Sequence, residues 1–147
     1  MGQGASNFWK QNILPPATDF PESELPDQTG KVVGLVTGGY TDISLEVAKI
    51  LYQKNATVYL AGRWADKGST AVNALRNAFP SSSGKVEFLK LDLADLSTIK
   101  PSAEEFLRKE RRLDVLVNNA GVYTPQSGSK SKQGYELQLA TNVYGPF

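Results

Sequence analysis

The residues with the clearest chemical potential lie in a short turn between an apolar run and an amphipathic segment. The turn begins at Thr37 and contains Gly38, Tyr40 and Asp42. A glycine turn that opens a helix suits an anion, because the first backbone N–H groups of a helix have no partner within it. Asp42 suits either a helix cap or general acid–base work. The turn therefore predicts a site for a phosphate or for a small organic substrate.

Other polar and aromatic side chains follow the later apolar runs. The carboxyl ends of parallel strands meet at one edge of a sheet, where open α/β sheets bind ligands. Side chains that come directly after successive strands are therefore expected to converge there. This converging set comprises Tyr40, Asp42, Arg63, Trp64, Asn118 and Tyr123, with Asn142 approaching from the last helix.

Four apolar runs alternate with four helical patterns, and this alternation predicts the fold. The predicted strands cover residues 31–37, 57–61, 86–91 and 113–117. The predicted helices cover residues 43–54, 66–79, 95–110 and 135–147, and residues 122–133 are expected to form a loop. Such alternation produces parallel sheets with right-handed crossovers. The expected architecture is an α/β, Rossmann-like, doubly wound sheet with strand order 3-2-1-4 and helices on both faces.

The composition excludes several kinds of site and partner. The chain has 147 residues, no cysteine and no histidine, which excludes thiolate chemistry, histidine-based triads and the usual zinc sites. The sequence shows no cluster of carboxylates that would predict a metal site. The formal net charge of +1 gives no reason to expect nucleic acid as a partner. No apolar run reaches the roughly 20 residues of a membrane span.

Residues 1–30 differ from the rest and are expected to form an amino-terminal arm before a single domain at 31–147. Four of the eight prolines fall in the arm, so a continuous helix is excluded. Its apolar side chains (Phe8, Trp9, Ile13, Leu14 and Phe20) could dock on the domain. The start also fits a pattern for myristoylation at Gly2, although an ordinary flexible terminus is the simpler interpretation. The expected location is cytoplasmic.

Several of these residues together resemble the amino-terminal part of the short-chain dehydrogenase/reductase family. Thr37 and Gly38 match the start of its T-G-x3-G-x-G turn, and residues 118–121 match its N-N-A-G motif. Asp92 falls where the family has an acid near the adenine, and Asn142 matches its active-site asparagine. The resemblance implies a dinucleotide site formed by Thr37, Gly38, Tyr40, Ile43, Arg63, Asp92, Asn118, Ala120 and Gly121.

Arg63 indicates which dinucleotide the resemblance implies. Enzymes of this fold that use NAD place an acid at the end of the second strand, whereas a cation there suits the 2′-phosphate of NADP. Arg63 occupies that place and Lys67 follows closely. The ancestral cofactor is therefore expected to be NADP(H), the alternative being that Arg63 is a solvated loop residue.

The sequence departs from the family pattern at two points. Asp42 and Ser44 replace the second and third glycines, and the Asp42 carboxylate would oppose a pyrophosphate. None of the six tyrosines is followed four residues later by lysine, so the Tyr-x3-Lys pair of the family is absent from these residues. Dinucleotide binding is expected to be weak or absent, and a single chain is not expected to transfer hydride.

Three interpretations follow from these observations. The chain could be an inactive remnant that binds a partner. It could be a non-redox isomerase, cyclase or dehydratase acting on a small organic molecule. In that case Asp42, Asn142 and Tyr123 would be catalytic and Tyr40, Trp64 and Tyr123 would line the pocket. It could also be a fragment of an NADP(H)-dependent oxidoreductase. In each case the apolar fourth strand is expected to favour a homo-oligomer.

Overall fold

The computed structural model describes residues 21–36, 38 and 40–147. Its strands are β1 (Val32–Val36), β2 (Thr57–Gly62), β3 (Lys85–Lys90) and β4 (Val115–Asn118). They form one parallel sheet in the order β3-β2-β1-β4. The predicted α/β class and the strand order 3-2-1-4 are confirmed.

Helices connect the strands as the alternation predicted. They are α1 (Asp42–Gln53), α2 (Ala65–Ala78), α3 (Ile99–Lys109) and a short α4 (Leu137–Leu139). A 3₁₀ turn at Leu96–Thr98 precedes α3, so the first turn of the predicted helix 95–110 is not α-helical. A second 3₁₀ turn covers Glu22–Glu24.

The predicted helix 135–147 was too long at both ends. The Glu136 carboxylate accepts hydrogen bonds from the backbone N–H groups of Gln138 and Leu139, at 2.9 and 2.7 Å. This cap makes Leu137 the first helical residue. After Leu139 the chain continues as a π-helical turn, Ala140–Tyr144, which ends before Pro146.

The sheet is covered by helices on both faces, as expected. On one face, Val58 and Leu60 of β2 pack with buried residues of α1 and α2. On the other face, Tyr59 and Ala61 of the same strand pack with Leu89 of β3, with the segment after β3 and with α3. Successive strand side chains point to opposite faces, so the continuous apolar run of β2 supplies both cores.

Tyr59 places a hydroxyl group in the core on the α3 face of the sheet. The hydroxyl donates a hydrogen bond to Glu110 Oε1 at 2.8 Å, and the ring meets Phe106 edge-on at a centroid distance of 5.1 Å. Burial, and then the neighbouring Glu110 carboxylate, raise the pKa of Tyr59 far above its usual value. The phenol therefore remains a neutral donor that ties β2 to the end of α3.

The part of the arm that the structure describes is held against the amino-terminal edge of the sheet. Gln28 N donates to Lys54 O at 2.7 Å, and Asn55 Nδ2 donates to Asp27 Oδ1 at 2.6 Å. Asn55 has φ +71°, a conformation that asparagine tolerates better than most residues. The predicted docking residues of the arm and the myristoylation motif at Gly2 lie outside the described residues.

The packing of α2 on β3 depends on a close approach at Gly68. A Cβ at this position would lie 2.6 Å from Cγ of Phe88 and overlap the ring. We predict that Gly68→Ala lowers the free energy of unfolding by about 1–3 kcal/mol, despite the better helix propensity of alanine. Urea unfolding followed by circular dichroism measures the loss.

Phe88→Leu provides the control for this prediction. A smaller side chain makes room for the methyl group, so Gly68→Ala should cost less in the Phe88→Leu background. An equal cost in both backgrounds would show that the close approach to Phe88 is not its origin.

Candidate functional site

A cleft of about 360 Å³ lies at the carboxyl ends of the strands. Eight of the residues predicted from the sequence line it, and they come from the glycine turn, the end of β2, the segment after β3 and the segment after β4. These eight are Gly38, Tyr40, Asp42, Arg63, Trp64, Asp92, Ala120 and Gly121. The expected convergence at one edge of the sheet is therefore observed for this part of the set.

The glycine turn is held in place from within and from β2. Gly38 has φ +70°, and its carbonyl accepts a hydrogen bond from Thr41 N at 2.9 Å. The Tyr40 ring lies directly against Gly62, where an added Cβ would overlap it, and faces Phe88 at a centroid distance of 6.3 Å. Because Gly62, the last residue of β2, has no side chain, the Tyr40 ring of the turn can pack directly against the strand.

Asp42 retains the backbone conformation of a glycine. Its φ is +50°, in the left-handed region that few residues other than glycine, asparagine and aspartate adopt. It is the first residue of α1, is exposed, and lines the cleft. Asp42 thus places a negative charge at the amino terminus of α1, while its backbone keeps a conformation typical of glycine.

Two cations follow β2, as the sequence predicted: Arg63 comes directly after the strand, and Lys67 lies in the first turn of α2. Arg63 and Lys67 are both exposed and both line the cleft. Arg63 Cζ lies 5.7 Å from the centroid of the Trp64 ring. Neither cation takes part in an ion pair among the described residues. Their charge is therefore available to an anionic ligand.

The segment after β4 places Asn119, not Asn118, in the cleft. Asn118 belongs to a second, mostly apolar cleft of about 430 Å³ on the α3 face, together with Leu116. Asn119 lines the first cleft and donates from Nδ2 to Ser44 Oγ of α1 at 2.6 Å. Side chains two apart along a strand share a face, so alternation along β4 already places Asn118 on the same face as Leu116.

Asn142 supports the wall of the cleft instead of lining it. Its Oδ1 accepts from Val122 N at 2.8 Å and its Nδ2 donates to Val122 O at 2.9 Å. Val122 itself lines the cleft. Both ends of the amide are therefore used to fix the loop after the N-A-G segment.

The remaining predicted site residues are not brought into the cleft. Tyr123 is 87% exposed and Ile43 is 70% exposed, and neither belongs to the lining. Thr37 lies outside the described residues. The three residues proposed for non-redox catalysis, Asp42, Asn142 and Tyr123, therefore do not share one cavity wall.

Residues that were not predicted complete the lining. They are Thr41, Leu93, Ala94, Asn119, Val122 and Thr141, beside Lys67, which the sequence placed near Arg63. Thr141 Oγ1 is buried and has no hydrogen-bond partner among the described residues. A buried hydroxyl without a partner destabilises the fold, so this atom is one cost of the wall that Thr141 contributes to the cleft.

The loop that forms one side of the cleft is fastened to the segment after β3. Lys132 Nζ and Gln133 Nε2 donate to the Asp95 carboxylate at 2.8 and 2.9 Å. Lys132 N also donates to Ala94 O at 2.9 Å, and Ala94 lines the cleft. Hydrogen bonds from Lys132, then from Ser97 and Gln133, hold the pKa of Asp95 well below its usual value.

In the part of the chain that the structure describes, no group of three or more acidic side chains is placed to hold a metal ion. Among the same residues, no helix is both long enough and apolar enough to cross a membrane.

The lowered pKa of Asp95 predicts a pH-dependent contribution to stability. A carboxyl group with a lower pKa in the folded state stabilises the fold above its unfolded pKa. This contribution declines as the pH falls below that value and is lost as the pH falls through the lower folded pKa. We therefore expect Asp95→Asn to lower the free energy of unfolding at pH 7. The difference from the wild type should shrink below about pH 4. Urea unfolding at several pH values measures it.

Glu22→Gln is a matched change of carboxylate to amide, at an exposed residue that takes part in no ion pair among the described residues. This control should show little effect at either pH. A difference for Asp95→Asn that is as large at pH 3 as at pH 7 would contradict an electrostatic origin.

Known proteins similar to this chain agree with the geometry. The family model described as short chain dehydrogenase matches residues 31–147. The chain is 49% identical over 141 residues to a short-chain dehydrogenase/reductase of Phomopsis amygdali, covering 96% of this chain and 42% of that protein. It is 52% identical over 132 residues to the short-chain dehydrogenase/reductase pkfC of Emericella nidulans, covering 90% of this chain and 41% of that protein.

Solved structures show the same fold. A crystal structure of a Mycobacterium paratuberculosis protein matches with a TM-score of 0.69 and 31% identity, over 88% of this chain and 43% of that chain. The Pseudomonas aeruginosa RhlG/NADP complex matches with a TM-score of 0.65 and 29% identity, over 81% of this chain and 43% of that chain.

The chain spans about two fifths of the length of the curated relatives that it matches. The match nevertheless extends over the whole sheet and over the cleft at its edge. By its sequence, strand order and glycine turn, this chain belongs to the short-chain dehydrogenase/reductase family.

Proposed function

We propose that this chain is the dinucleotide-binding part of an NADP(H)-dependent oxidoreductase of this family, with affinity for the cofactor lowered by Asp42. The observation that carries the proposal is the composition of the cleft. One cavity combines the glycine turn at Gly38, two cations after β2, Asp92 and the Ala120–Gly121 segment. These are the positions at which a doubly wound sheet binds a dinucleotide.

The residues present fit the parts of NADP(H). Arg63 and Lys67 would hold the 2′-phosphate, and Asp92 would lie near the adenine. The turn at Gly38 and the amino terminus of α1 would face the pyrophosphate. When bound, the cofactor supplies or accepts a hydride.

Asp42 is the obstacle to this binding. Two unit charges about 4 Å apart repel by about 4 kcal/mol at an effective dielectric near 20, and by about 1 kcal/mol in bulk water. Asp42 is exposed, so solvent screens part of its charge. We expect a loss of affinity between about fivefold and about a thousandfold relative to a neutral residue.

Hydride transfer needs more than these residues. The family's Tyr-x3-Lys pair exchanges the proton, and none of the six tyrosines of this chain has a lysine at that spacing. The roles left to the described residues are binding and orientation. Asn142 holds Val122 in place through two hydrogen bonds. Asp95 holds the loop that contains Lys132 by accepting a hydrogen bond from that lysine.

The inactive remnant is the second candidate, and Asp42 is the observation that favours it. A carboxylate at the anion site would close the cleft to any dinucleotide while leaving the fold intact. The non-redox enzyme receives less support, because Tyr123 is almost fully exposed and the amide of Asn142 is occupied by Val122.

Titration with NADPH distinguishes the two candidates. We expect Asp42→Gly and Asp42→Asn to bind NADPH more tightly than the wild type, with Asp42→Glu no better than the wild type. Asn tests charge alone, because it has nearly the same shape and also tolerates the left-handed backbone. Binding is measured by nucleotide fluorescence or by isothermal titration.

Either of two results would change the interpretation. Low-micromolar binding by the wild type would show that Asp42 does not obstruct the site. No detectable binding by the wild type, with binding restored by Asp42→Gly or Asp42→Asn, would favour the remnant. No binding by any variant would contradict the NADP(H) site itself. As a test of cofactor choice, Arg63→Gln with Lys67→Gln should weaken binding of NADPH more than of NADH, whereas Lys100→Gln, 86% exposed on α3, should change neither.

Self-association is part of the proposal. Val115 and Leu116 of β4 are 49% and 51% exposed, and among the described strands β4 pairs only with β1. Apolar edge strands favour pairing with another chain. We expect the 147-residue chain to form dimers or larger species in light scattering, and Leu116→Lys to shift them toward monomer. A wild-type monomer at high concentration would contradict this.

A further inference from the structure

The first turn of α1 contains a second departure from the family pattern, and its surroundings differ from those of Asp42. Ser44 replaces a glycine that normally allows the helix to pack closely on the sheet. Its side chain is only 1% exposed, whereas Asp42, two residues earlier, is exposed. A hydroxyl buried at this depth destabilises the fold unless it is hydrogen-bonded.

Ser44 has such a partner in the wall of the cleft. Asn119 Nδ2 donates to Ser44 Oγ at 2.6 Å, across 75 positions of sequence. Asn119 lines the cleft, and so do the next three residues along the chain, 120–122. The hydrogen bond therefore joins the helix turn that starts at Asp42 to the segment after β4.

We propose that Ser44 is a positioning residue, which acts through Asn119 to hold the segment after β4 at a fixed separation from the glycine turn. This inference rests on the proposed NADP(H) site, because that separation is the space open to a pyrophosphate. Ser44 then supports binding while Asp42 opposes it, although the sequence pattern treats both as lost glycines. Restoring glycine at both positions should be worse than restoring it at position 42 alone.

The test uses Asp42→Gly as the background, so that NADPH binding is measurable. Ser44→Ala removes only the hydroxyl, Ser44→Gly restores the family residue, and Asn119→Ala removes the exposed partner without disturbing the buried turn. We expect each to weaken NADPH binding by roughly three- to tenfold, as for the loss of one hydrogen bond. Asn119→Ala combined with Ser44→Ala should be no weaker than either alone, because the same bond is lost once.

Adenosine 2′-monophosphate separates positioning from general destabilisation. This probe has the phosphate that Arg63 and Lys67 would hold but lacks a pyrophosphate, so its affinity should remain unchanged in all these variants. Weakening of both ligands by equal factors would show a structural role only and overturn the proposal. Tighter NADPH binding by Ser44→Gly would overturn it as well.

The two proposals fail in different ways. If Asp42→Gly binds neither NADPH nor the 2′-monophosphate, there is no cofactor site and both fall. If Asp42→Gly binds both but Ser44→Ala and Asn119→Ala leave NADPH affinity unchanged, only the positioning role falls. Because Asn119 is exposed, its variant keeps the test decisive even if the buried Ser44 variants do not fold.

Discussion

The burial of β2 on both faces of a parallel sheet is the constraint on which the rest of the structure depends. Val58 and Leu60 have no exposed surface and Tyr59 only 1%, so helices must cover both sides. Covering both sides with crossovers forces the strands to run parallel. In a parallel sheet the carboxyl ends of all strands lie at the same edge. The residues that follow them, among them Gly38, Arg63 and Asp92, therefore line one cleft.

Sequence patterns predicted the elements better than the directions of individual side chains. Strand order and both helical layers followed from alternation of apolar runs, because burial acts on whole segments. Two of the errors came from single local contacts. Glu136 caps α4 and shortens it, and Asn142 turns to Val122. Asn118 and Asn119 are adjacent in the chain, so their side chains point to opposite faces of the sheet and line different clefts.

Burial also separates two substitutions that look equivalent in the sequence. Asp42 and Ser44 both stand where the family has glycine, yet one is exposed with φ +50° and the other is buried and hydrogen-bonded. The exposed aspartate leaves the backbone in a glycine-like conformation and changes mainly the charge. The buried serine changes the packing and gains a partner. The environment of each side chain supports the proposal that the first acts on the ligand and the second on the wall of the cleft.

The shape of the cleft and its affinity are therefore largely independent. The shape is set by contacts that do not involve Asp42: Tyr40 against Gly62, Asn142 on Val122, and Lys132 on Asp95. On the proposed function, the affinity depends on charges that line the cavity: Arg63 and Lys67 favour an anion, and the Asp42 carboxylate opposes it. Loss of ligand affinity removes only the stabilisation that binding adds to the folded state. Under the proposed function, a single exposed side chain can therefore lower cofactor affinity while the contacts that form the cleft remain.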